Sequence, residues 1–210
     1  MRFKNRQHAG ELLLERLSKY RNTQPLVLAV PRGAVPMAAL IAKNLGGDLD
    51  LILVRKIGAP FNSEYAMGAV DEEGNVLLNE SARYYQIPQE LMEEEIQQET
   101  DRIKKQRMLY TSGRKIFEVK DRTIILVDDG IATGSTLLAA IHFLKSKGAK
   151  KVIVAAPVSS LQAARKLQQA CDEFICLEEP EDFQAVGQFY RDFSQVSDEE
   201  VIEIMKHSSL

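Results

Sequence analysis

The chain has 210 residues, of which 45% are hydrophobic and 27% are charged. A chain of this length and composition can bury the core of one α/β domain. Its formal net charge is −3. A nucleic-acid-binding surface usually needs a basic excess, so we expect no nucleic-acid partner.

The two cysteines, Cys171 and Cys176, form neither a CxxC pair nor a cluster with histidines. This spacing argues against a zinc site and a disulfide framework, and it suits a reducing compartment. The amino-terminal segment carries charges throughout, and no stretch reaches the roughly 18 apolar residues that a membrane span requires. We therefore expect a cytoplasmic protein with no membrane partner.

The amino-terminal part of the chain predicts a helix and then a crossover unit of strand, helix and strand. Residues 6–20 place apolar side chains at helical spacing, which predicts an amphipathic helix. The apolar runs Leu26–Val30 and Leu49–Val54 indicate strands that are buried on both faces of a parallel sheet. Between them, Val35–Leu45 predicts a helix that Gly46 ends.

Residues 55–74 differ from their surroundings, because they are rich in glycine and polar turn residues. We expect an exposed excursion with a short hairpin at 67–78, and long loops of this kind are often functional.

Pro88 to about Tyr110 predicts a long polar helix with its acidic residues first and its basic residues last, which complements the helix dipole. Its apolar positions are sparse. We therefore expect this helix to lie across a surface or against a second subunit, as in a homodimer.

Strands and helices alternate again in the second half of the chain. Three further strands, the first of them buried, and two helices are predicted, at Thr123–Val127, 134–144, Val152–Ala156, Leu161–Ala170 and Phe174–Leu177. This alternation indicates an α/β fold with a mostly parallel central sheet and helices on both faces. We expect a single domain over residues 1–210.

The residues that follow the strand Thr123–Val127 are the main candidates for binding. In an open parallel sheet, ligands bind outside the carboxyl ends of the strands. An acidic pair stands there, followed by a stretch rich in glycine and hydroxyl groups that opens a helix: Asp128, Asp129, Gly130, Ala132, Thr133, Gly134, Ser135 and Thr136. The free N–H groups and the dipole of that helix favour a phosphate, and Gly134 permits close approach of the backbone. The carboxylates can accept hydrogen bonds from vicinal hydroxyls or hold Mg²⁺. The two parts match the two ends of a ribose 5-phosphate.

Four other motifs do not match this segment. A Walker A loop needs a lysine after Gly134, and a dinucleotide-binding GxGxxG is absent. A phospho-aspartate hydrolase would need Asp-x-Asp, but Gly130 stands at the third position. A response-regulator receiver would need an acceptor aspartate after a later strand, where the chain has Pro157–Ser159.

The run VDDGIATGST (residues 127–136) resembles the ribose-phosphate fingerprint of type I phosphoribosyltransferases, in which two acidic residues and a Thr-Gly-x-Thr loop follow a hydrophobic strand. The resemblance covers roughly residues 25–178. It implies a fold that binds 5-phosphoribosyl-1-pyrophosphate with Mg²⁺, with Asp128 and Asp129 at the ribose and the metal and Thr133–Thr136 at the 5-phosphate. It also implies a hood over residues 179–210, to which the amino-terminal helix could belong.

Three further stretches extend the resemblance. The VPRG loop (residues 30–33) stands where the family binds pyrophosphate, often with a non-proline cis peptide, which assigns Arg32 and Gly33 to the pyrophosphate. Arg55 and Lys56 would neutralise the leaving pyrophosphate. The stretch that follows resembles the family's flexible catalytic loop, in which Glu64 is the carboxylate most available for proton transfer. More narrowly, the chain resembles a group of bacterial stand-alone phosphoribosyltransferase-like proteins.

The sequence leaves the acceptor open. Hypoxanthine-guanine members of the family typically carry an aspartate where Ala132 stands, whereas adenine-type members can have alanine there. Five residues of the tail are candidates for contacting a flat acceptor ring: Phe183, Val186, Phe189, Tyr190 and Phe193. The resemblance implies Mg²⁺-dependent transfer of the phosphoribosyl group to a nitrogenous acceptor, with release of pyrophosphate. Two alternatives remain: a non-catalytic regulator that binds the donor or a nucleotide, and a hydrolase or phosphorylase that acts on another phosphosugar.

Overall fold

The computed structural model describes residues 2–59, 62–79, 88–112 and 116–208, and for residues 62–66 it describes the backbone only. Two compact units are present, one of Met1–Ile52 with Lys115–Leu210 and the other of Leu53–Arg114. The strands in chain order are β1 (Leu26–Ala29), β2 (Asp48–Leu51), β3 (Val54–Ala59), β4 (Asn62–Asp71), β5 (Val76–Leu78), β6 (Thr123–Val127), β7 (Lys151–Val158) and β8 (Glu173–Glu178). The α-helices described are α1 (Arg6–Arg16), α2 (Val35–Leu45), α3 (Gln89–Thr111), α4 (Ser135–Ser146), α5 (Leu161–Ala170) and α6 (Asp198–His207). Of these helices, none is long and apolar enough to cross a membrane.

The first unit is built on a five-stranded parallel sheet in the order β2-β1-β6-β7-β8. All four residues of β1 and the last four of β6 are buried, as expected for strands that are covered on both faces. Helices α1 and α6 pack on α2, while α4 packs on α5. The predicted α/β fold with a mostly parallel sheet is confirmed. The predicted strand Leu49–Val54 was wrong at its end, because β2 stops at Leu51 and Val54 starts a strand of the second unit.

The second unit holds a three-stranded antiparallel sheet in the order β3-β4-β5. The predicted hairpin at 67–78 is confirmed, because β4 pairs with β5 there. The expectation of an exposed excursion was wrong for most of this region. The side chains of Ile57, Met67 and Val70 are fully buried, so these strands have an apolar core of their own.

Helix α3 packs on β3 and β4 within the second unit. Its Ile103 and Tyr110 are buried, and Arg107 makes two hydrogen bonds of 2.8 Å to the carboxylate of Glu72 on the β4–β5 turn. The helix ends at Thr111 and is capped by Ser112, which adopts a left-handed φ of 49°. This helix therefore belongs to the core of its unit, and its predicted role in a homodimer stays a prediction.

A half-buried cluster of charged groups joins the end of the amino-terminal helical region to the sheet. Glu173, the first residue of β8, accepts hydrogen bonds from Tyr20 Oη at 2.5 Å and Lys151 Nζ at 2.9 Å. Lys19 Nζ lies 2.6 Å from its other oxygen. Burial disfavours the charged carboxylate, but the hydrogen bonds from these three residues outweigh that effect and lower the pKa of Glu173 to about 2.

We expect Glu173→Gln to lower the free energy of unfolding near neutral pH, and we expect this loss to shrink in acid. The folded-state pKa lies below the unfolded-state value of about 4.3, so the stabilisation is complete above the unfolded pKa and is lost as the pH falls through the folded pKa. Urea unfolding of both proteins between about pH 7 and pH 3 measures the difference. Glu181→Gln, which removes a charge from an exposed tail position, is the control. A wild-type advantage that stays constant over this range would contradict the assignment.

Candidate functional site

The loops that follow β1 and β6 meet at the carboxyl end of the parallel sheet, because these two strands are neighbours. Ala29 pairs in register with Val127, so the next few residues of both strands run side by side. The approach is so close that a Cβ added to Gly33 would lie 1.9 Å from Oδ2 of Asp129. The Pro31–Arg32 peptide bond is cis, as the resemblance implies. The structure thus brings the VPRG loop and the acidic pair together.

The loop between the acidic pair and α4 is anchored on β7 and on the residue that caps α5. The Ile131 N–H donates to the carbonyl of Val158 at 2.9 Å, and the Ser160 N–H donates to the carbonyl of Ile131 at the same distance. The Ser160 hydroxyl donates to the carbonyl of Ala132 at 2.6 Å. Ser160 also caps α5. These bonds hold the loop at the carboxyl edge of the sheet, where ligands bind in folds of this class.

The start of α4 has the form that the sequence predicts for an anion-binding turn. Gly134 precedes the helix with a left-handed φ of 73°, a conformation that favours glycine. Thr133, Ser135 and Thr136 are exposed. The first N–H groups of a helix have no partner within the helix. Three hydroxyls and these N–H groups therefore lie together at one helix terminus.

The two carboxylates of the acidic pair have different surroundings. Asp129 Oδ2 forms an ion pair with Arg6 Nε at 2.8 Å, and the two side chains are only 16% and 13% exposed. The carbonyl of Asp129 accepts a hydrogen bond from the hydroxyl of Tyr190 at 2.7 Å. At Asp128, loss of solvent and the neighbouring Asp129 carboxylate raise the pKa above its ordinary value. Asp129 is therefore fixed by two partners that are distant in sequence, whereas Asp128 sits next to a like charge.

The amino-terminal segment and the tail pair with each other beside this loop. The Phe3 N–H donates to the carbonyl of Phe189 at 2.7 Å, and the Arg191 N–H donates to the carbonyl of Phe3 at 2.8 Å. In the short 3₁₀ helix Val186–Phe189, the Val186 side chain lies so close to Gly130 that a Cβ on that glycine would be 2.2 Å away. The tail and the amino terminus thus form one layer over the acidic loop.

The tail aromatics do not all suit an acceptor. Tyr190 is 1% exposed, and it stacks on Phe193 with a centroid distance of 4.8 Å, so its predicted role in stacking on an acceptor was wrong. The guanidinium of Arg6 lies over the ring of Phe193, 4.0 Å from the ring centroid. Phe183 and Phe189 stack on each other at 5.5 Å and are partly exposed. The exposed parts of Phe183 and Phe189 therefore offer an aromatic surface that a flat acceptor ring could contact.

Arg32, assigned to pyrophosphate by the resemblance, has an acidic neighbour from the tail. Its guanidinium lies 3.3 Å from Oδ1 of Asp198, in the first turn of α6. Both side chains are partly exposed, at 32% and 43%. Exposed ion pairs of this kind contribute little to stability. Arg32 therefore carries a counter-ion that an anionic ligand could replace at small cost.

Arg55 and Lys56 lie on β3 in the second unit, where the sequence predicted a loop. Arg55 Nη1 lies 3.3 Å from Oε2 of the buried Glu99, and its Nε is buried without a hydrogen-bond partner among the described residues. Lys56 is exposed. Glu64 belongs to β4, but its side chain lies outside the described residues. The catalytic roles of these three residues stay predictions.

Four residues of this region were not predicted from the sequence: Arg6, Ser160, Asp198, and Tyr190 as a buried support for Asp129. Ser160 could have been found, because it follows a buried strand at the carboxyl edge of the sheet. Arg6 carries no local signal, since 123 positions separate it from Asp129.

The oxygen atoms of the acidic pair suit Mg²⁺ in kind, but they do not form a complete cage. One oxygen of Asp129 is paired with Arg6, so it is not available as a metal ligand. Mg²⁺ prefers oxygen ligands and is usually bound through one or two carboxylates together with waters and substrate phosphates. The residues present therefore fit a metal ion that shares its ligands with a bound phosphate ester.

Comparison with known proteins assigns the family. The family model for the phosphoribosyl transferase domain matches residues 4–194. A Mycobacterium tuberculosis protein, whose name places it among the phosphoribosyl transferases, is 36% identical over 204 residues, which are 97% of this chain and 46% of the relative. The chain thus spans about half the length of these curated relatives, which match 97% of it.

Two solved structures share the fold. The TT1426 protein of Thermus thermophilus superposes with a TM-score of 0.89 at 42% identity and 99% coverage of both chains. A Neisseria gonorrhoeae protein solved with bound ppGpp is similar in fold alone, with a TM-score of 0.52 at 11% identity and coverage of 99% and 98%. The matched model spans most of the chain, and a relative that is 36% identical covers 97% of it, so this chain belongs to the phosphoribosyl transferase domain family.

Proposed function

We propose that this chain transfers the phosphoribosyl group of 5-phosphoribosyl-1-pyrophosphate to a nitrogenous acceptor and releases pyrophosphate. One observation carries the proposal: the acidic pair, the VPRG loop and the start of α4 lie together at the carboxyl edge of the sheet. The acidic pair can hold a diol, and the VPRG loop and the start of α4 can each hold an anion. The proposed donor carries the same groups, since its ribose diol lies between a pyrophosphate and a 5-phosphate.

In the proposed reaction the bond from the anomeric carbon to the pyrophosphate oxygen breaks, and pyrophosphate leaves with the electron pair. A bond from the acceptor nitrogen to the same carbon forms, and the acceptor loses its proton. Asp128 and Asp129 orient the ribose through its hydroxyls, while Thr133, Ser135 and Thr136 hold the 5-phosphate. Arg32 and the Gly33 backbone bind the pyrophosphate as its charge develops.

Mg²⁺, when bound by Asp128 and Asp129 together with donor oxygens, would neutralise part of the pyrophosphate charge. Arg55 and Lys56 are the further cations that we assign to the leaving group. Glu64 is the group that we assign to proton transfer. These assignments follow from the family resemblance.

The test is a binding titration combined with a turnover assay. We expect the purified chain to bind 5-phosphoribosyl-1-pyrophosphate in the presence of Mg²⁺, measured by calorimetry, and to release pyrophosphate with one class of acceptor from a panel of purines, pyrimidines and amines. Binding without turnover on any acceptor would favour the regulator. Absence of binding would contradict both, and would leave another phosphosugar as the ligand to test.

A further inference from the structure

The amino-terminal helix contributes one side chain to the acidic pair. Arg6 Nε donates to Oδ2 of Asp129 at 2.8 Å, and both side chains are largely buried. We propose that Arg6 is a positioning residue for the donor, which holds the carboxylate of Asp129 in the orientation that accepts the ribose hydroxyls. This inference rests on the function proposed above, because it assumes that Asp129 binds ribose.

Arg6 is itself fixed before any ligand arrives. Asn5 caps α1 by accepting the N–H of His8 at 3.0 Å, so Arg6 is the first residue of that helix. Its Nη1 donates to the carbonyl of Ser194 at 2.5 Å, and its guanidinium lies 4.0 Å from the centroid of the Phe193 ring. A planar guanidinium that is stacked and hydrogen-bonded in this way has little freedom to turn.

The contact with Arg6 is what fixes the Asp129 carboxylate. Among the described residues, Arg6 is the one that forms an ion pair with Asp129, and Gly33 offers only close backbone contact. The charge-assisted hydrogen bond from Arg6 to Oδ2 fixes the torsion of the Asp129 side chain and offsets part of the negative charge of the acidic pair. The second oxygen, Oδ1, is the one that we assign to the ribose.

The same contact could instead act as a latch that the donor must displace. The geometry favours positioning, because displacement would break the ion pair, the bond to Ser194 and the stack on Phe193 together. The arginine would also be left partly buried without its counter-ion, which is costly. The two interpretations predict opposite changes in donor affinity when Arg6 is replaced.

The experiment compares Arg6→Gln and Arg6→Lys with wild type by calorimetric titration of 5-phosphoribosyl-1-pyrophosphate and Mg²⁺, alongside thermal unfolding. We expect Arg6→Gln to weaken donor binding about ten- to a hundred-fold, the range found when a residue that orients a ligand-binding group is removed. Arg6→Lys keeps the charge without the planar fork, so it should recover part of the affinity. Once an acceptor is known, the change should appear mainly in KM for the donor.

Arg2→Gln is the matched control. Arg2 Nε donates to the carbonyl of Tyr190 at 3.1 Å, so Arg2 also ties the amino terminus to the tail, but this bond does not involve the acidic pair. We expect this variant to bind the donor as wild type does. Equal donor affinity in Arg6→Gln and Arg2→Gln, or tighter binding in Arg6→Gln, would overturn the positioning role.

A double variant separates this inference from the proposed function. In an Asp129→Asn background, Arg6→Gln should cause no further loss of affinity, because the two residues act through one contact. If Asp129→Asn and Asp128→Asn leave donor binding intact, the ribose site itself is misassigned. If they remove binding while Arg6→Gln does not weaken it, only the role of Arg6 fails.

Discussion

Gly33→Ala should reduce donor affinity by about 100-fold, because a displacement of about 1 Å in a positioned group can cost that much. The added Cβ would lie 1.9 Å from Oδ2 and 2.5 Å from Cγ of Asp129, so the carboxylate or the VPRG loop must move. Gly33 is not among the residues with a positive φ, so the effect comes from space and not from backbone strain. Calorimetric titration with 5-phosphoribosyl-1-pyrophosphate and Mg²⁺ measures it.

Two controls show whether the loss arises at this contact. Gly10→Ala adds a methyl group to α1, where the nearest atom is the flexible Cδ2 of Leu40 at 3.2 Å, and it should leave donor affinity unchanged. Overpacking at Gly33 should also cost roughly 1–3 kcal/mol of stability. In an Asp129→Ala background, which lacks the clashing carboxylate, Gly33→Ala should cost little further stability, because the two changes act at one contact, and binding should stay lost. Wild-type affinity in the single variant would show that the two loops do not form one donor site.

Asp128→Asn combined with Asp129→Asn should abolish measurable donor binding while the fold persists. Each change keeps the volume of the side chain and removes a charged acceptor for the ribose hydroxyls. Two hydrogen bonds to charged groups are together worth about 3–6 kcal/mol, which corresponds to a loss of about 100-fold or more in affinity. The same calorimetric titration, with circular dichroism to follow the fold, provides the measurement.

The single variants differ in their expected effect on stability. Asp129→Asn leaves Arg6, which is 13% exposed, without its ion-pair partner, so it should lower the free energy of unfolding. Asp128→Asn breaks no ion pair among the described residues, so it carries no such penalty. Asp121→Asn is the matched control, because it removes one charge from an exposed, left-handed position before the amino end of β6, a conformation that asparagine tolerates. An unchanged donor affinity in the double variant would refute the ribose role.

The loop of residues 128–136 and most of the parallel core could be predicted from the sequence because their determinants are local. β6 was predicted with both of its bounds, and α5 likewise, because a continuous apolar run or a helical spacing marks each of them. The turn at Gly134 was predictable for a similar reason, since glycine and hydroxyl residues after a buried strand favour an anion-binding helix start. Residues 55–74 were predicted as an exposed excursion because of their glycines and polar residues, and these residues gave no signal of the strands that bury Ile57, Met67 and Val70.

By itself, then, the sequence determined the parallel α/β core and the residues at the carboxyl ends of β1 and β6. Only the tertiary structure decided what surrounds those residues. Arg6 and Tyr190 reach Asp129 across 123 and 61 positions of sequence, and Asp198 reaches Arg32 across 166. Contacts at such separations depend on how helices and tail pack on the sheet, and neither the spacing of residues nor their local propensity encodes that packing.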